Sequence, residues 1–167
     1  FDGGLIMETG SSYCTEAMNG FDVMVGIQAS LGRETFTYGI VKFPGDYGED
    51  YAAGIKYAAA QYGLGDPLAE VLQIPMSAGG TLDDAVIAMA TAKPDVIFVV
   101  TGPMELATLI GGVYGAGHQT ALYVGVGPSW NPALLGTAAA PLFEGGAYFH
   151  TSPTAGWDAD TPGHAAM

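Results

Sequence analysis

Aromatic and polar side chains follow three of the predicted strands at the point where each strand ends. They lie in residues 44–47, 101–103 and 127–130. Phenol, indole, hydroxyl and carboxylate groups in such loops offer apolar area together with hydrogen-bonding atoms, which is the chemistry of reversible small-molecule binding. The candidate ligand-binding residues are Asp46, Tyr47, Gly102, Pro103, Gly127, Ser129 and Trp130.

The chain contains no residue pattern typical of catalysis or metal binding. No Ser/His/Asp set, Cys–His pair or pair of carboxylates on one loop has a supporting context. His118, His150 and His164 are scattered without the spacing of metal ligands. His150 falls at a predicted strand end, where we expect a structural histidine. We therefore expect no enzymatic activity, no cofactor and no metal.

The elements that must position these loops alternate between strand and helix over residues 36–149. Strands are predicted at 35–43, 69–74, 95–101, 121–126 and 146–150, with helices between them and a further helix at 12–31. The continuous apolar run at 95–101 is typical of a strand buried on both faces of a parallel sheet. The pattern predicts an α/β fold, a doubly wound, flavodoxin-like parallel sheet whose strand-end loops share one edge.

Local signals predict where three of the helices begin. Asp46 with Glu49, and Thr81 with Asp84, match the capping-box spacing, and Pro103 suits the first position of a helix. Glu105 falls in the first turn of that helix, where a carboxylate interacts favourably with the helix dipole. For Asp46 a capping role is favoured over ligand contact. Another helix should end before the Lys-Pro pair at 93–94.

Composition limits the partners. The 167 residues are enough for about one domain with a real core. With 17 acidic and 4 basic residues the net charge is −13, which argues against nucleic acid and anionic membrane surfaces. No apolar run is long enough for direct membrane insertion. Cys14 is the only cysteine, so no internal disulfide can form.

Four motifs in sequence order resemble one known family. They are DYGED at 46–50, AKPDVIFVV at 92–100, GPMELA at 102–107 and PSWNPALLG at 128–136. Together they resemble the second lobe of type I periplasmic (extracellular) solute-binding proteins of ABC transporters, the branched-chain amino-acid-binding-like family. The resemblance implies an extracytoplasmic protein, in the periplasm or at the outer face of the membrane. Its two lobes would close on a small solute and be recognised by a permease.

The resemblance also implies a division of the chain. Residues 1–34 would hold the hinge crossing and the leading helix of lobe two. Residues 35–150 would form the α/β ligand-binding lobe, and 151–167 a truncated tail leading toward the return crossing. We therefore expect a piece of a longer protein whose first lobe is missing from this sequence.

Ligand roles follow from the resemblance residue by residue. In the family the tyrosine of the DYG turn commonly contacts the ligand, which here is Tyr47. The loop after the third strand often supplies backbone or aromatic groups, and here holds Gly102 and Pro103. Amino-acid binders often place a carboxylate after the fourth strand, whereas this chain has Gly-Pro-Ser-Trp at 127–130. That departure weakens an α-amino-acid ligand and leaves amides, urea-like solutes and aromatic acids open.

Several alternatives remain open at the level of sequence. Trp130 either covers the apolar part of a ligand or wedges its loop into the domain, and Ser129 bonds either a ligand or its own backbone. Tyr13, Met76 and Ser77 are weaker candidates. A ligand-sensing receptor ectodomain would share these features. A flavodoxin-like nucleotide-binding enzyme is disfavoured because acidic residues at 46–50 would repel a phosphate from the helix start.

Overall fold

The computed structural model describes residues 12–151, which form a five-stranded, all-parallel sheet in the order β2-β1-β3-β4-β5. The strands are β1 Tyr38–Lys42, β2 Ala69–Leu72, β3 Val96–Val100, β4 Leu122–Val126 and β5 Tyr148–Thr151. The helices are α1 Tyr13–Ser30, α2 Asp46–Gln61, α3 Asp83–Ala92, α4 Pro103–Gly115 and α5 Ala140–Glu144. Short 3₁₀ turns lie at Met76–Ala78, Gly127–Ser129 and Pro132–Gly136. The predicted fold class is confirmed.

The core lies on both faces of the sheet. Every residue of β1 and β3 is buried, as expected for central parallel strands. Alternate residues of β3 face opposite sides: Ile97 and Val99 pack with α3, α4 and α5, while Phe98 packs with α1 and α2. This two-sided covering leaves the strand ends as the place where loops can present side chains to a ligand.

Helices α1 and α2 touch closely because α2 carries a glycine at the contact. A Cβ atom added at Gly54 would collide with the carbonyl oxygen of Cys14 and approach the Cβ of Ala17 to 2.9 Å. At the start of α1, Asp50 of α2 accepts a hydrogen bond from the Cys14 N–H at 2.9 Å. The two helices are thus fixed together beside the strand ends.

The predicted helix bounds are largely confirmed, but both capping boxes are wrong. The N-cap of α2 is Gly45, at φ 85°, with no side-chain cap, and Glu49 bonds Lys42 instead. The N-cap of α3 is Leu82, again without a side-chain cap. For Glu49, a partner from β1 prevails over the local motif. Pro103 is the first residue of α4, as predicted.

Other differences lie around the last two strands and the ends of the chain. The predicted short helix at 131–135 is the 3₁₀ turn Pro132–Gly136, and α5 was not predicted. Within residues 12–151, no helix is both long and apolar enough to cross a bilayer. The first part of the predicted hinge segment, the predicted tail and His164 lie outside the described residues.

Gly54→Ala should destabilise the protein, although alanine favours helices. The added methyl group meets the α1 backbone, and overpacking of this kind costs about 1–3 kcal/mol. Gly26→Ala in α1 is the matched control, because an added Cβ there meets no atom within 4 Å. That control should gain about 1 kcal/mol from helix propensity. Urea denaturation measures both, and equal effects would contradict the close packing of α1 on α2.

Candidate functional site

The loops after β1, β3 and β4 meet at one backbone carbonyl. The hydroxyl of Tyr47 donates to the carbonyl oxygen of Thr101 at 3.3 Å, and the hydroxyl of Ser129 donates to the same oxygen at 2.8 Å. Residues from three loops that lie far apart in sequence are therefore tied together at the carboxyl edge of the sheet. We call this region the strand-end edge.

Tyr47 is half-buried at this edge and packs among aromatic rings. Its ring stands edge-on to Tyr13 of α1, with centroids 4.6 Å apart, and lies 6.3 Å from the ring of Phe43. Burial raises the pKa of Tyr47 to about 12, although the nearby hydroxyl of Ser129 acts in the opposite direction. The phenol is therefore neutral at physiological pH and presents part of its ring to solvent.

An open hollow of about 370 Å³ adjoins Tyr47 at the start of α2, lined by Tyr13, Asp46, Tyr47, Glu49 and Asp50. The Asp46 side chain is exposed and does not cap the helix. Within residues 12–151 no hydrogen bond or ion pair engages it, whereas Glu49 and Asp50 are bonded. Asp46 therefore stays a predicted ligand contact.

Lys42, at the end of β1, is held by two carboxylates. Its ammonium lies 2.7 Å from Glu49 and 2.7 Å from Glu70, and Lys56 lies 2.6 Å from the other oxygen of Glu70. Burial acts to lower the pKa of Lys42, but bonding to Glu49 and Glu70 outweighs it and raises that pKa. Because its partners are carboxylates of the protein itself, this lysine is not free to bind an anionic ligand.

The carboxylate of Glu105, in the first turn of α4, lies at the start of that helix. Glu105 is only 7% exposed, and one of its oxygens accepts a hydrogen bond from the N–H of Met76 at 2.8 Å. The other oxygen lies 2.6 Å from where a Cβ of Gly102 would stand. Gly102 and Pro103 are half-buried beside it. The sequence had indicated only a favourable helix-dipole position for Glu105 and missed its contact with the loop after β2.

Ser129 is inside the lobe and does not face solvent. It is fully buried, and its hydroxyl, besides bonding Thr101, lies 3.5 Å from the carbonyl oxygen of Val99. This geometry favours the backbone-bonding alternative and a positioning role for the loop. Gly127, at the start of the same loop, is half-buried beside the end of β5, and an added Cβ would lie 3.8 Å from the Thr151 carbonyl oxygen.

Trp130 packs its indole against the last strand. Its ring is nearly parallel to those of Tyr148 and His150, with centroids 5.7 and 5.6 Å away, and the Phe143 ring meets it at 69° and 5.6 Å. Trp130 is half-buried among these rings, which supports the alternative in which it wedges its loop into the domain.

His150 is exposed, and partial burial lowers its pKa, so the imidazole is mainly neutral at pH 7.

The part of the chain from 12 to 151 offers no group of three or more His, Cys, Asp or Glu residues arranged for a metal ion. What the strand-end edge does offer is aromatic surface, one unengaged carboxylate and the neutral imidazole. This combination suits non-covalent binding of a small amphipathic molecule.

Solved structures similar to this chain are solute-binding proteins. A fatty acid ABC transporter substrate-binding protein from Thermomonospora curvata is 31% identical, with a TM-score of 0.80 over 96% of this chain and 39% of its own. The chain is one lobe of the type I periplasmic solute-binding fold. The resemblance found in the sequence is thereby confirmed.

More distant structures agree with this lobe in fold. A possible leucine/isoleucine/valine-binding protein from Rhodopirellula baltica SH 1 is 15% identical with a TM-score of 0.72, over 96% of this chain and 42% of its own. A solute-binding protein from R. palustris in complex with benzoate is 16% identical with a TM-score of 0.67, over 95% and 40%. No protein-family profile and no curated protein matches the chain. The lobe spans about two fifths of the length of these three proteins.

Ser129→Ala should lower the free energy of unfolding by about 1 kcal/mol, because it removes a buried hydrogen bond that joins two loops. Ser77→Ala, at an exposed position of the loop after β2, is the matched control and should have little effect. Chemical denaturation measures both variants. A Ser129 variant as stable as the control would exclude the positioning role.

Glu70 should stabilise the protein at neutral pH and lose this effect in acid. Burial acts to raise its pKa, but hydrogen bonds and charges from Lys42 and Lys56 outweigh it and lower the pKa below 4.5. A carboxylate with a lowered folded-state pKa stabilises above the unfolded value and loses that contribution as pH falls through the folded value. Glu70→Gln should therefore cost about 1 kcal/mol at pH 7.

The pH dependence of urea denaturation tests this expectation. The difference between the wild type and Glu70→Gln should shrink as the pH falls below about 4.5. Glu34→Gln, at an exposed position with no ion pair among residues 12–151, should show no such difference. A Glu70 effect that stayed constant down to acid pH would contradict the ion-pair assignment.

Proposed function

We propose that this chain is lobe two of an extracytoplasmic solute-binding component of an ABC transporter, which binds a small amphipathic solute in the cleft between two lobes. The observation that supports it best is the convergence of three strand-end loops on the Thr101 carbonyl, which holds the partly exposed Tyr47 at the edge where the fold binds ligands. The similarity to transporter-associated binding proteins over nearly the whole chain supports the same function.

The charges of the strand-end edge support a particular orientation of the solute. Carboxylates of the chain itself lie at the starts of α1, α2 and α4. Asp50 accepts a hydrogen bond from the first turn of α1, Glu49 is in the first turn of α2, and Glu105 is in the first turn of α4. Lys42 is engaged by glutamates. An anionic group would be repelled here by the negative charge of these carboxylates. Lobe two would therefore receive the uncharged part of the solute.

We infer that the solute is an aromatic or aliphatic acid whose carboxylate is bound by the other lobe. Two of the similar proteins bear on this: one is described as a fatty acid transporter component, and another is in complex with benzoate. Aromatic surface at Tyr13 and Tyr47 suits a ring or an alkyl chain. Amino acids are less suited, because Ser129, in the loop where amino-acid binders often carry a carboxylate, is buried and bonded.

The proposed mechanism is binding without catalysis. Two lobes close on the solute, and the closed form, which the permease recognises, is favoured by the contacts that the solute makes only there. In this scheme residues 1–34 hold the hinge crossing and leading helix, 35–150 the binding lobe, and 151–167 the path toward the other lobe. The partners are the first lobe, the solute and the permease.

A thermal-shift screen of the two-lobed protein tests the function. Benzoate, 3,4-dihydroxybenzoate, octanoate, leucine and acetamide serve as probes, with a nucleotide to test the enzyme alternative. A solute at a hundredfold excess over its dissociation constant should stabilise by about 2.7 kcal/mol. Tyr47→Ala should abolish the shift. Tyr57→Ala, a 60% exposed tyrosine on the same helix, is the control and should leave it intact.

Two results would overturn the proposal. Stabilisation by the nucleotide alone would favour a nucleotide-binding function. Stabilisation by an acid that is equally strong in the Tyr47 and Tyr57 variants would remove the strand-end edge from the binding site.

A further inference from the structure

We propose that His150 is a ligand-contacting residue that selects solutes bearing a hydroxyl or carbonyl oxygen on their uncharged part, and that Trp130 is the positioning residue that holds its ring. This inference rests on the proposed function and adds to it a specificity-determining residue that sequence reasoning had treated as structural.

The location of His150 supports the assignment. It is the third residue of β5, paired in register with Gly125, one residue before the end of β4. It therefore lies beside the loop Gly127–Trp130, whose Ser129 bonds the same carbonyl as Tyr47. Gly125 has no side chain, and the ring of Tyr148 fills the space where its Cβ would stand. His150 is exposed although it belongs to a strand.

The orientation of the imidazole is fixed by stacking. The indole of Trp130 is nearly parallel to the imidazole, at 8°, and Tyr148 lies beside it with a centroid 6.0 Å away and an angle of 16°. Stacking engages the face of the ring and leaves its two nitrogens at the rim. Among residues 12–151 no side chain or backbone group hydrogen-bonds these nitrogens. A rigid ring with unengaged polar atoms is prepared for a ligand, since little side-chain entropy remains to be lost.

The chemistry of the strand-end edge explains why this histidine is important. The hydroxyls of Tyr47 and Ser129 and the ammonium of Lys42 already donate to protein oxygens. A neutral imidazole supplies one donor and one acceptor. It can therefore both donate to and accept from the solute, whereas the exposed carboxylate of Asp46 only accepts. The apolar part of the same solute would lie toward Tyr47.

The test measures solute affinity in the two-lobed protein by isothermal titration calorimetry. The probes are benzoate, 3,4-dihydroxybenzoate and octanoate. His150→Phe keeps a flat ring for Trp130 and removes both nitrogens, so 3,4-dihydroxybenzoate should bind this variant about tenfold more weakly. Benzoate and octanoate, whose only oxygens belong to the carboxylate that the other lobe binds, should bind it as they bind the wild type. Its melting temperature without solute should not change. His150→Asn, which keeps a donor and an acceptor, should recover part of the affinity.

A double-mutant cycle separates positioning from general packing. Trp130→Leu should weaken binding in the wild-type background but have little further effect in the His150→Phe background, because the ring that it positions no longer bonds the solute. If Trp130→Leu weakens binding equally in both backgrounds, the positioning role is overturned. Should a variant not fold, titration of the wild type with the same probe must shift the imidazole ¹⁵N resonances of His150, and unchanged resonances overturn the contact.

The outcomes distinguish this inference from the function on which it rests. If a probe binds and Tyr47→Ala abolishes binding, the function stands. The role of His150 is overturned if His150→Phe does not weaken binding of 3,4-dihydroxybenzoate, or if the wild type binds only the probes that lack a hydroxyl. If no probe binds the wild type, the proposed function fails, and the histidine assignment fails with it.

Discussion

The candidate site depends on the hydrogen bonds that the carbonyl group of Thr101 accepts from two other loops. This carbonyl lies just past β3, where the hydrogen-bonded ladder ends and a buried carbonyl needs another donor. Tyr47 and Ser129 supply two, from loops that follow β1 and β4. A single backbone oxygen thereby fixes the relative positions of three loops. The all-parallel sheet makes this possible, because all of its strands end at the same edge.

Electrostatics at this edge follow from the acidic composition of the chain. Parallel α/β units present helix starts beside strand ends, and free amides there are ready-made anion sites. In this lobe Asp50 bonds the start of α1, and Glu105 occupies the start of α4. Lys42 is held between Glu49 and Glu70. The negative charge of these carboxylates makes the edge unfavourable for a phosphate.

Aromatic rings form two groups at the strand-end edge. Tyr13 and Tyr47 form an edge-on pair at the start of α2, and Trp130 lies over the rings of β5. Both groups are assembled across elements: the first joins α1 to α2, and the second joins the loop after β4 to β5. Their geometry therefore depends on the close packing of α1 on α2 at Gly54 and on the register of β4 with β5.

Sequence alone determined the five strands, the helices α1 to α4 and the edge at which the candidate residues lie. Apolar runs such as Val96–Val100 and the prolines and glycines around them are local signals, and local signals specify strands, helices and turns. They also predict that Tyr47, Ser129 and Trp130 lie at one edge, because parallel strands all end at the same edge of the sheet.

Only the tertiary structure decided what those side chains do. Glu49 matched a capping box but bonds Lys42, and Glu105 matched a helix-dipole position but bonds Met76. Ser129 was a surface candidate and is buried, whereas His150 was expected to be structural and is exposed. In each case the contacts that decide the role of the side chain come from another element of the fold. They form only when the chain has folded, so local sequence signals cannot reveal them.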